Sequence, residues 1–192
     1  KVDFVDIDPI EYNISTIKLE NKLKITPKNK LPKVLSIVHL AGFPCDQKKI
    51  VKLGKKYGFK ILEDASHALG AINDGEPVGS CKWSDLCIFS FHPSKSITTG
   101  EGGMILTNNN KTYYNLLKLR NNGIEKKKLI YKKNFGPWYY EVQTQGFNFW
   151  MTDFQAALGN SQLKRLDLFI KKRNKIARNY DKYLKNFKIG LP

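Results

Sequence analysis

Paired cysteines, clustered histidines and long apolar runs are all missing from this sequence. Its three cysteines, Cys45, Cys81 and Cys87, are odd in number and scattered without a C-x-x-C spacing. They predict neither a disulfide framework nor a metal knuckle, and they suit a reducing compartment. His39, His67 and His92 stand far apart and match no ligand spacing such as H-x-x-x-H, so no metal site is expected. No stretch is apolar for long enough to cross a bilayer. These absences predict a soluble, cytoplasmic protein without a membrane partner. Acidic residues are also scarce, 17 against 33 basic ones, for a net charge of +16. Such an excess suits nucleic acid, because Lys and Arg neutralise phosphates. The basic residues recur along almost the whole chain, however, and no zinc-finger spacing or RNA-binding signature accompanies them. They are expected to be solvated surface charge, with nucleic acid not the main partner.

What the sequence does contain is enough apolar residue, 41% of 192, for one domain with a real core. The clearest large-scale signal is alternation of element types. "FVDID" (4–8) reads as a short strand closed by Pro9, and "KVLSIVHLAG" (33–42) as a buried strand. "CDQKKIVKLGKKYG" (45–58) reads as a helix, with Asp46 as N-cap, an apolar stripe through Ile50, Val51 and Leu53, and Gly58 as stop. Strands follow at 59–64, 85–91 and 102–108, with a turn-rich stretch at 74–80 and a helix over roughly 110–121. Strand, helix, strand with short connections predicts a largely parallel α/β sheet covered by helices.

From about residue 126 the character changes. "KKKLIYKKNFGPWYYEVQTQGFNFWM" is aromatic, basic and without period, and reads as a long loop. An amphipathic pattern then runs from Asp153 to about Phe187, with a break expected near Gly159. The expected domain division is therefore 1–150 for the α/β portion and 151–192 for a long helical segment.

Ligands of open parallel sheets gather at the carboxyl ends of the strands. Asp64 ends one strand in "ILEDASHALG", and Ser90 and Lys95 lie at the end of another in "FSFHPSK". Pyridoxal 5′-phosphate chemistry needs such a set. A lysine amine forms a Schiff base with the cofactor, and a carboxylate keeps the pyridine nitrogen protonated. A flat side chain covers the ring, a task open to His67, and hydroxyls hold the phosphate, a task open to Ser90. A bland reading fits the same spacing: Asp64 as a helix cap, Ser90 as a strand hydroxyl, His67 as a core histidine and Lys95 as a loop charge. His92 and Pro93 are expected to shape the turn that aims Lys95, and Glu101, Gly102 and Gly103 to form a tight turn. Trp138, Tyr139 and Tyr140 suit either a nucleotide contact or a dimer interface.

"ILEDASHALGA", "FSFHPSKSITTGEGGMILTNN" and "GFNFWMTDFQAALGNSQLKRLD", in this order and separation, resemble the DegT/DnrJ sugar-nucleotide aminotransferases. "VDIDPIEYNI" and "SIVHLAGFPCD" match the same family, so the resemblance covers nearly the whole chain. It implies the three-layer, fold type I pyridoxal-phosphate architecture, a homodimer, and amino transfer from glutamate to a nucleotide-linked keto sugar. "HLAGFPCD" and "FSFHPSKSITTGEGG" look most like the branch acting on UDP-linked 4-keto-6-deoxy-N-acetylhexosamines. Carried over, Lys95 is the Schiff-base lysine and proton shuttle, and Asp64 the partner of the pyridine nitrogen. His67 stacks on the ring, and Ser90 binds phosphate. Asn148, in "GFNFW", reaches the phosphate of the neighbouring subunit. The family often has arginine or another residue at the position of Trp150, so the resemblance leaves open how that loop engages its partner.

The same fold also hosts sugar dehydratases in which histidine replaces the Schiff-base lysine, and Lys95 argues for transamination instead. A catalytically inactive, basic binding protein is the third reading. Relatives in the resembling family are about twice as long. The chain is therefore expected to be a piece, truncated at both ends, whose residues 151–192 lead to a smaller C-terminal domain. Alone it is expected to show negligible transamination.

Overall fold

The computed structural model describes residues 1–125, 136–187 and 189–190. In chain order the elements are α1 (Thr16–Ile25), β1 (Val34–Val38), α2 (Gln47–Tyr57) and β2 (Lys60–Asp64), then a short hairpin of β3 (Ile72–Asn73) and β4 (Glu76–Pro77). β5 (Leu86–Ser90), β6 (Gly103–Leu106) and α3 (Asn110–Arg120) follow. β7 (Ile124–Glu125) and β8 (Glu141–Val142) form a small pair, and α4 (Asp153–Leu163) and α5 (Leu166–Leu184) end the chain. The central sheet has the order β1-β2-β5-β6. β1, β2 and β5 run parallel, and β6 returns antiparallel to β5. The mostly parallel sheet with flanking helices matches the expected fold class.

Local chemistry explains where the elements begin. The Asp46 carboxylate caps α2 by accepting the Lys49 N–H at 3.1 Å, and Gly58 ends it in the left-handed region. α1, which the sequence reading passed over, starts at Ser15, whose hydroxyl accepts the Lys18 N–H, and buries Leu19 and Leu23 four residues apart. These two leucines pack with Ile50 and Leu53 of α2 and with Ile37 and Ile61 of the sheet. Full burial of a side chain such as Ile50 contributes about 2 kcal/mol. A second cluster joins Ala65, Ala68, Cys87, Phe89, Phe91 and Ile97, with Leu166 and Phe169 of α5 packed against it.

Strand alternation sorts the side chains of the sheet. Ile37, Ile61, Glu63, Cys87 and Phe89 fall on the buried face. Asp64, Ile88 and Ser90 fall on the opposite, half-open face. This parity decides which residues can meet a ligand.

Two expectations need correction. "FVDID" forms no strand and contributes only an isolated bridge between Ile7 and Ile14. The reason is local competition. The carboxylates of Asp3 and Asp6 each accept the next residue's N–H at 2.9 Å, and that of Asp8 takes two, from Ile10 and Glu11. The break in the terminal helices falls at Lys164–Arg165, between α4 and α5, with Gly159 inside α4. Gly159 serves close approach instead: a Cβ there would lie 2.8 Å from Thr99 Cγ2. Of the long loop expected over 126–151, residues 126–135 lie outside the described residues. The remainder includes β8 and a bridge from Asn148 to Asn121.

Cys45, Cys81 and Cys87 are all buried and free. Burial pushes the Cys45 thiol up to about 12 and raises Cys87 as well. An aromatic disulfide reagent at pH 8 should therefore leave the native thiols unmodified and titrate all three in denaturant. A native thiol reacting as fast as free cysteine would contradict this packing.

Candidate cofactor site at the strand ends

β2 ends at Asp64 because the chain turns sharply there, with the Ala65 N–H donated to the Ile88 carbonyl and the Ala68 N–H to the Ala65 carbonyl. The Asp64 carboxylate is half-buried, and its Oδ1 accepts the Ser66 N–H at 3.1 Å. Its second oxygen takes no protein donor among the described residues. The Asp64 carbonyl accepts the His39 N–H at 3.1 Å, which ties the end of β1 to the end of β2.

Ser90 closes β5 on the same sheet face as Asp64. Asp64 is in register with Ile88 on the neighbouring strand, and Ser90 lies two residues further on. Standard strand spacings put the two Cα atoms roughly 8 Å apart. The Ser90 Oγ receives only a long contact, 3.4 Å, from the His92 N–H, so its own proton is free to be donated.

The loop that carries Lys95 is pinned on both sides. The Phe91 N–H donates to the Gly102 carbonyl at 2.8 Å and the Thr99 N–H to the Phe91 carbonyl at 3.0 Å. Within it the Lys95 N–H donates to the His92 carbonyl, and His92 Nδ1 accepts the Ser94 N–H, so His92 shapes the turn as expected. From outside, the Arg173 guanidinium of α5 donates to the Lys95 carbonyl at 3.2 Å. Gln155, part of the capping box of α4, donates to the Glu101 carbonyl at 3.0 Å. Lys95 itself is half-buried, and its amine makes no ion pair or hydrogen bond among the described residues.

The expected residues are brought together unevenly. Asp64 and Ser90 share one face, and His67 follows Asp64 by one tight turn, exposed, with its Nδ1 accepting the Ala41 N–H at 3.3 Å. Lys95 lines a concavity of about 300 Å³ with Ser96, Thr98, Gln162, Phe169 and Arg173, and Asp64, His67 and Ser90 are not part of that lining. No ion pair joins Lys95 to Asp64 among the described residues. Asn148 is exposed on a segment anchored to the end of α3. There the Phe147 N–H donates to the Leu119 carbonyl and the Phe149 N–H to the Arg120 carbonyl. Trp150 is engaged within its own chain: its indole N–H donates to Asn121 Oδ1 at 3.1 Å, and the Arg120 guanidinium lies 4.2 Å from its ring centroid.

The sequence reading missed a buried pair beneath the site. His39, with no exposed surface, lies 3.1 Å through Nε2 from Glu63 Oε2, itself 2% exposed. The signal was present: Glu63 shares strand parity with Ile61, and a carboxylate on a core face demands a partner. Burial pushes the Glu63 carboxyl up, but hydrogen bonding, from His39 foremost and then Ser84 and Gln47, outweighs it and holds it below its ordinary value. Among the described residues no cluster of three or more His, Cys, Asp or Glu side chains could hold a metal, and no helix is long and apolar enough to cross a membrane.

The residue types suit pyridoxal phosphate: a carboxylate with a spare acceptor, a hydroxyl with a spare proton and a fixed imidazole at the strand ends, and an unpaired amine in the concavity that Lys95 lines.

The profile of the DegT/DnrJ/EryC1/StrS aminotransferase family matches residues 1–192. The chain is 41% identical over 182 residues to the UDP-4-amino-4,6-dideoxy-N-acetyl-beta-L-altrosamine transaminase of Campylobacter jejuni, covering 95% of this chain and 45% of that protein. Helicobacter pylori PseC, an aminotransferase involved in the biosynthesis of pseudoaminic acid, superposes with a TM-score of 0.84 at 33% identity, over 97% of this chain and 46% of that one. Spr1654 from Streptococcus pneumoniae, solved in its PLP form, gives 0.79 at 28% identity over 95% and 47%. The chain thus spans less than half the length of these relatives.

Proposed function

This chain belongs to the DegT/DnrJ/EryC1/StrS aminotransferase family, and we propose that it serves pyridoxal-phosphate-dependent amino transfer from glutamate to a nucleotide-linked 4-keto-6-deoxy sugar. The observation that carries the proposal is the shared placement of Asp64 and Ser90 on one face at adjacent parallel strand ends, with the unpaired amine of Lys95 five residues beyond. The similarity to an altrosamine transaminase and to PseC supports a UDP-linked N-acetylhexosamine as the sugar.

When bound, pyridoxal phosphate supplies an aldehyde for amines and a ring that accepts electrons from the substrate carbon. The chain's residues supply the rest. Lys95 would be the covalent attachment point, and its amine would carry a proton to and from the substrate carbon. Asp64, through the oxygen not used by Ser66, would accept the N–H of the pyridine ring and keep it charged. His67 would cover the ring, and Ser90 would donate its hydroxyl proton to the phosphate. Asn148, exposed on its anchored segment, is available to the phosphate of a second copy, as a homodimer requires. In this reading residues 1–150 form the cofactor-binding portion, and 151–192 lead toward a smaller domain. The setting is cytoplasmic, where nucleotide sugars and glutamate meet.

The test uses a protein of the relatives' full length that carries this chain. Incubated with pyridoxal phosphate, glutamate and a panel of UDP-, GDP- and dTDP-linked 4-keto-6-deoxy sugars, it should release 2-oxoglutarate with at least one, the UDP-linked N-acetyl sugar leading. Absence of 2-oxoglutarate with every sugar would refute the proposal.

A further inference from the structure

We infer that the buried Glu63–His39 pair is a positioning device that sets the orientation and tautomer of the His67 imidazole beside Asp64. The chain of contacts is continuous. His39 Nδ1 accepts the Cys45 N–H at 3.2 Å, so the ring proton sits on Nε2, which donates to Glu63 Oε2 at 3.1 Å. This fixes His39 at the end of β1, where its own N–H donates to the Asp64 carbonyl. The chain then makes a single tight turn over Leu40–Gly42.

That turn reaches the site. Ala41, held at φ +53°, points its N–H at His67 Nδ1, 3.3 Å away. Gly42, at φ +89°, approaches so closely that a Cβ would lie 3.0 Å from the His67 carbonyl. A ring whose Nδ1 accepts an amide proton must carry its own proton on Nε2 and is neutral in that arrangement. Asp64 is then the one charged group the turn presents to a pyridine ring, and the imidazole face stays fixed. On the far side Asn13 clamps the same segment, accepting the Leu40 N–H and donating to the Phe43 carbonyl. Breaking the Glu63–His39 hydrogen bond should therefore loosen the turn without unfolding it.

The functional purpose rests on the reading of Asp64 and His67 as cofactor residues. The contacts themselves are tested without cofactor, so this inference and the transfer activity fail separately. In ¹⁵N-histidine-labelled protein His67 should show the Nε2–H tautomer. In Glu63→Val the Ala41 amide should exchange about tenfold faster, as expected for loss of one hydrogen bond, and the His67 ring nitrogens should shift. Glu63→Gln, which keeps an acceptor, should stay within about twofold for Ala41. The ring signals of His92, fixed by its own Ser94 turn, and the amide of Ile50 in the core should be unchanged in both. Unchanged Ala41 exchange in Glu63→Val would overturn the inference. If that variant loses protection at Ile50 as well, the wild-type tautomer decides: a proton on His67 Nδ1 overturns it, and one on Nε2 upholds it.

Discussion

Replacing Lys95 with alanine lowers amino transfer roughly 10⁴-fold, the upper range for loss of a positioned proton-transfer group, while leaving the fold intact. The structure separates the two effects. The loop is held by main-chain contacts, from the Lys95 N–H to the His92 carbonyl and from Arg173 to the Lys95 carbonyl, and alanine keeps both. The amine itself has no partner among the described residues, so its removal orphans nothing. The expected stability change is within about 0.5 kcal/mol. The measurement is turnover beside thermal unfolding, in the full-length protein. Activity within tenfold of wild type, or a collapse of stability, would each count against the assignment.

Asp64→Asn should lower turnover by roughly two to four orders of magnitude while the cofactor still binds. Asparagine keeps the shape and the carbonyl oxygen that accepts the Ser66 N–H, so the turn at the end of β2 survives. It removes the negative charge, and a neutral amide does not hold a pyridine nitrogen protonated. Cofactor affinity and turnover, measured on the same preparation, should therefore part company. Near-normal turnover would remove Asp64 from its proposed role.

The parts of the fold legible in the sequence are those written in local patterns. The cap at Asp46, the stop at Gly58 and the apolar runs of β1, β2 and β5 each declare themselves within a few residues. Local pattern also misled. "FVDID" alternates like a strand, but its aspartates spend the neighbouring amides on side-chain hydrogen bonds. Gly159 looks like a helix break, but it is a contact point for Thr99, visible only once α4 is docked. The same limit applies at the site. Asp64 and Ser90 could be placed at strand ends from the sequence, and register then showed that they share a face. The proposal for Lys95 rests on the resemblance of a long motif, since spacing alone also fits a loop charge. The His39–Glu63 pair spans 24 residues and depends on two strands being neighbours, so no local pattern contains it.

The central claim, that Lys95 is the cofactor lysine, is tested most directly by trapping. The full-length protein is incubated with a stoichiometric amount of pyridoxal phosphate, reduced with borohydride, digested and analysed by mass spectrometry. Because the chain carries so many other lysines, most of them exposed, it contains its own controls. The account predicts one dominant phosphopyridoxyl-modified peptide, the one containing Lys95, and its loss in Lys95→Ala. Modification scattered over surface lysines with Lys95 unmodified would contradict it.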